Sequence, residues 1–87
     1  MTTYMVERNL GGISREDLGG AQRAAIATAS AMREQGENVR YLRSTFAPDD
    51  GRCFCLFEAD TDEQVRRLND DAGLPYDRVT PALDLAP

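Results

Sequence analysis

The sequence predicts an α+β domain in which a four-strand antiparallel sheet carries two helices on one face. Two runs rich in β-branched and aromatic residues, 39–46 and 52–59, flank Ala47-Pro48-Asp49-Asp50-Gly51, a turn-forming segment, and read as a hairpin. A segment with helical spacing and a capping signal lies on each side of that hairpin. One further short strand stands at each end. The order β-α-β-β-α-β is the split βαβ, ferredoxin-like arrangement, and residues 1–87 form one such domain.

Residues 4–8 make the first strand, with Tyr4 and Val6 on one face and Met5 and Glu7 on the other. Gly11-Gly12 breaks it. Ser14 caps the first helix, with Asp17 three residues on. Leu18, Ala21, Ala25, Thr28, Ala29 and Met32 form its narrow apolar stripe, mostly of small residues that let the helix lie close to whatever it covers. Gly36 is the expected residue just past its end. Thr61 with Gln64 makes a capping box for the second helix, which turns Val65, Leu68 and Ala72 inward and leaves Asn69-Asp70-Asp71 as a solvated face. Gly73 and Pro75 stop it. Residues 78–85 form the last strand, and Pro81 within it marks an edge or a bulge.

Composition removes several chemistries. All ten cations are arginine, against 15 acids, and neither lysine nor histidine is present. Without imidazole there is no Ser-His-Asp or Cys-His mechanism, and without lysine no Schiff base or phosphate-binding P-loop. A net charge of -5 argues against nucleic acid or an anionic membrane as partner. No leader or membrane span is legible, so a cytoplasmic location is expected, with the two cysteines as thiols. Leu, Ile, Val and Phe supply only 17 of 87 residues. Such a thin core is best completed by a second copy of the chain, so a homodimer is expected.

Pairing Phe46 with Arg52 sets Thr45 opposite Cys53, Arg43 opposite Cys55 and Tyr41 opposite Phe57, all on one face. Leu42, Ser44, Phe46, Phe54 and Leu56 take the other, more apolar face, which is assigned to the helices. A one-residue slip or a bulge would change that assignment. The open face then carries Met5, Glu7, Tyr41, Arg43, Thr45, Cys53, Cys55 and Phe57. Its bland reading is a dimer interface with an Arg43–Glu7 ion pair and two inert cysteines. Its functional reading is a lined cleft, with Cys53 and Cys55 as two soft donors for a metal, Glu7 or a partner chain completing the shell, and Arg43 lowering a thiol pKa.

Three runs, Tyr4-Met5-Val6-Glu7-Arg8, Val39-Arg40-Tyr41-Leu42-Arg43-Ser44-Thr45-Phe46 and Arg52-Cys53-Phe54-Cys55-Leu56-Phe57-Glu58-Ala59, together with Ala72-Gly73-Leu74-Pro75, carry a family resemblance. The chain resembles a family of small bacterial nickel-binding proteins first catalogued as a domain of unknown function. That resemblance implies a ferredoxin-like fold, a homodimer of α/β-barrel-like form, and bound nickel with a role in sequestration or response. Because no histidine is present, a nickel site in this chain would draw on Cys53, Cys55, carboxylates, including surface ones such as Asp49 and Asp50, or backbone. The first expectation is therefore a homodimeric nickel-binding protein rather than an enzyme. A cofactor-free enzyme or small-molecule binder is the alternative, with Glu7 as general base, Tyr41 as donor and Arg43 as anion stabiliser. An interaction module without chemistry is the third reading.

Overall fold

The computed structural model describes all residues, Met1–Pro87. The elements run β1 (Thr2–Asn9), α1 (Arg15–Glu34), β2 (Val39–Ala47), β3 (Arg52–Ala59), α2 (Asp62–Asp71) and β4 (Arg78–Ala82). The strands form one antiparallel sheet in the order β2-β3-β1-β4, with both helices against one face. This is the expected ferredoxin-like order, and Pro81 lies on edge strand β4, where its missing N–H costs no interior ladder bond.

Both helices begin as their sequences dictate. The Ser14 hydroxyl accepts from the Asp17 backbone N–H at 3.0 Å. At α2 the box is reciprocal: Thr61 Oγ1 accepts from Gln64 N, while Gln64 Oε1 accepts from Thr61 N. Gly36 and Gly73 follow the two helices with φ of 88° and 71°, the left-handed closure that suits glycine. Arg67 of α2 reaches Glu37 through two hydrogen bonds of 2.6 and 2.9 Å, tying the α1–β2 connection to α2 and holding the Glu37 carboxyl below its usual pKa. No helix is long and apolar enough to cross a membrane.

The hairpin departs from the expected register in two compensating ways. Ala47, not Phe46, pairs with Arg52, so Phe46 lies opposite Cys53 and Ser44 opposite Cys55. A bulge between Tyr41 and Arg43 then restores the expected Tyr41–Phe57 and Arg40–Glu58 pairs. The slip exchanges the faces of β3. Cys53, Cys55, Phe57 and Ala59 are buried beneath the helices, and Phe54 and Leu56 take the open side. In β1 the expected faces hold: Tyr4 and Val6 point into the core, Met5 and Glu7 away from it. Val39 of β2, Val65 and Leu68 of α2, Val79 of β4, and Ala25, Ala29 and Met32 of α1 complete one cluster of 13 buried residues.

Candidate functional site: the thiol cavity under the first helix

The small stripe of α1 does not close fully onto the sheet. Along Leu18, Ala21, Gln22 and Ala25 it leaves a cavity of about 150 Å³, whose floor is formed by Arg8, Tyr41, Ser44, Phe46, Cys53 and Cys55. Short side chains leave unfilled space where the backbone separation is set elsewhere, and farther along α1 the longer Met32 fills that space.

Alternation along β3 aims both thiols into this cavity, with Sγ atoms 3.8 Å apart and no disulfide between them. The bulge in β2 brings Tyr41 and Ser44, three residues apart, onto the same side. A polar relay results. Gln22 Nε2 donates to the Tyr41 hydroxyl at 3.2 Å, that hydroxyl bonds Ser44 Oγ at 2.6 Å, and Ser44 donates to Cys55 Sγ at 3.0 Å. Since serine has one O–H, Tyr41 is the donor of the middle bond. Tyr41 is also fixed edge-on to Phe57, with ring centroids 5.5 Å apart.

Burial pushes the Cys53 thiol up to about 11, and the neighbouring Cys55 adds to the rise, while the Arg8 guanidinium opposes it. The cation near the thiols is therefore Arg8, not Arg43. Arg8 is 3 % exposed, and its guanidinium donates to Asn69 Oδ1 at 2.8 Å and to the Pro75 carbonyl at 3.2 Å. Asn69 in turn donates to the Val65 carbonyl at 2.8 Å and is fully buried, against its expected place on a solvated face. The signal for Arg8 was present in the strand: counting on by twos from Tyr4 and Val6 reaches it on the core face.

The other expected site residues lie elsewhere. Glu7 is on the open face, with carboxylate oxygens 3.0 Å from Arg52 and 3.7 Å from Arg78. Arg43 is also outside, bonded to Asp84 at 2.7 Å, so the expected Arg43–Glu7 pair does not form. The sheet thus separates Glu7 from Cys53 and Cys55, and separates Glu7 and Arg43 from Tyr41. Neither the three-residue metal set nor the Glu7–Tyr41–Arg43 catalytic set is assembled within the chain. No group of three or more Cys, Asp or Glu side chains is placed to hold a metal ion.

Over residues 4–81 the chain matches the family model described as nickel responsive protein SCO4226-like. The chain belongs to this family. Among solved structures it is similar to the crystal structure of SCO4226 from Streptomyces coelicolor A3(2), with a TM-score of 0.79 and 27% identity over 97% of this chain and 99% of that one. The SCO4226-like fold and the order of elements read from the sequence agree. A comparison with curated proteins finds no match.

Proposed function

We propose that the chain is a homodimeric binding protein with a nickel-related role, and that Cys53 and Cys55 are its soft-donor group. The observation that carries this reading is the convergence of both cysteines in one cavity, 3.8 Å between sulfurs, in a chain that has no histidine. The nickel responsive family supports the choice of metal. The donors fit nickel in kind but not in number: two sulfurs have no third Cys, Asp or Glu beside them. A closed, permanent nickel centre inside one subunit does not fit these residues. Two buried free thiols with no third donor beside them suit response to the metal better than its storage.

The test is spectroscopic. Titrating metal-free protein with nickel should produce a saturable thiolate-to-metal absorption band in the near ultraviolet. The Cys53→Ser, Cys55→Ser variant should lose it. No saturable band in the wild-type protein overturns the reading, and an unchanged band in the variant removes the thiols from it.

A further inference from the structure

The cavity contains a second feature that metal binding leaves unexplained. Arg8 is a buried cation without an acid: both of its protein partners, Asn69 Oδ1 and the Pro75 carbonyl, are neutral, and it takes part in no ion pair. Those two bonds use two of the five guanidinium N–H donors. A buried charge is ordinarily balanced by an opposite one, because its hydration is lost and nothing else replaces it.

What the cavity offers instead is room. It is lined mainly by apolar side chains, among them Leu10, Leu18, Ala21 and Phe46, with Arg8 on its wall. At about 150 Å³ it matches the size of apolar cavity that admits one benzene ring. We propose that this cavity binds a small organic monocarboxylate, with the carboxylate on Arg8 and the apolar body beneath α1. One guanidinium suits one carboxylate, whose two oxygens match its planar fork. A phosphate dianion would need more donors than the apolar lining supplies. The proposal is independent of nickel.

Benzoate and its neutral counterpart benzamide are the probes, titrated calorimetrically into the protein at neutral pH with a chelator present. Benzoate should bind saturably at one site per subunit, about tenfold or more tighter than benzamide, the margin of a charge-assisted hydrogen bond. Arg8→Met should erase that preference. Ala21→Phe, which fills the cavity from α1 and leaves Arg8 in place, should block both probes. Asn69→Asp keeps Arg8 but gives it an internal carboxylate, so it should weaken benzoate even if Arg8→Met does not fold. Absence of saturable benzoate binding overturns the proposal, as does equal binding of benzamide or undiminished binding in folded Ala21→Phe.

Discussion

Burial is the largest influence on the Cys53 thiol, and it ties one proton to the stability of the whole fold. The group moves from an ordinary value of 9.0 up to about 11 in the folded chain. Between these values the unfolded chain releases the proton while the folded chain keeps it. Stability from this group is therefore fully present below about pH 9 and is lost as pH rises toward about 11, by a total on the order of 2–3 kcal/mol. Urea midpoints at about pH 8 and about pH 10.5 should fall farther in the wild-type protein than in Cys53→Ser. The comparison cancels contributions common to both proteins. Equal slopes would mean that Cys53 ionises as freely in the fold as outside it.

At the scale of elements, the β2–β3 hairpin decides what the cavity contains, and its turn is held by a glycine contact. Gly51 is buried at φ 74°, and a Cβ there would stand 2.5 Å from Gly11 Cα and 2.6 Å from Gly11 N. Gly12 shares the left-handed conformation at φ 80° but has nothing within 4 Å of the corresponding position. Gly12→Ala should cost about 1–2 kcal/mol from backbone strain alone. Gly51→Ala adds a backbone collision and should cost about 3 kcal/mol or more. Urea denaturation of the two variants separates strain from collision, and equal losses would remove the contact as the reason for glycine. The same hairpin explains how much was legible in the sequence. Turn residues, caps and periodicity located every element, because those signals are local. The faces of β3 were not legible, because Phe54 and Leu56 are as apolar as Cys53, Cys55 and Phe57, and one residue of slip exchanges the two sets. The Tyr41–Phe57 pair survived that error only because the bulge in β2 compensates for the slip. In β1 polar Glu7 opposite Val6 left no such ambiguity, yet alternation also placed charged Arg8 in the core, which composition argues against.

For the whole molecule, a sheet with both helices on one side leaves the other side to be covered by something else. Across β1 and β3 that open face sets Met5 opposite Leu56 and Glu7 opposite Phe54, with the Glu7–Arg52–Arg78 cluster and the Arg43–Asp84 pair around them. Arg52 lies 5.6 Å from the Phe54 ring, so its charge rests over apolar surface. An apolar centre with a charged rim is the anatomy of a protein interface, and a two-fold contact through this face needs no partner other than a second copy. Leu56 stands on a central strand, opposite both Met5 and Arg43, and makes no part of the core beneath the helices. Leu56→Arg should therefore leave the chain folded while placing like charges against each other in any two-fold contact through this face. Sedimentation equilibrium should give a dimer for the wild-type chain and a monomer for the variant, with matching circular dichroism spectra. A wild-type monomer would leave the open face without a partner copy, and a variant that stays dimeric would move the contact to another surface. Neither result would disturb the cavity, because the thiols and Arg8 lie on the far side of the sheet.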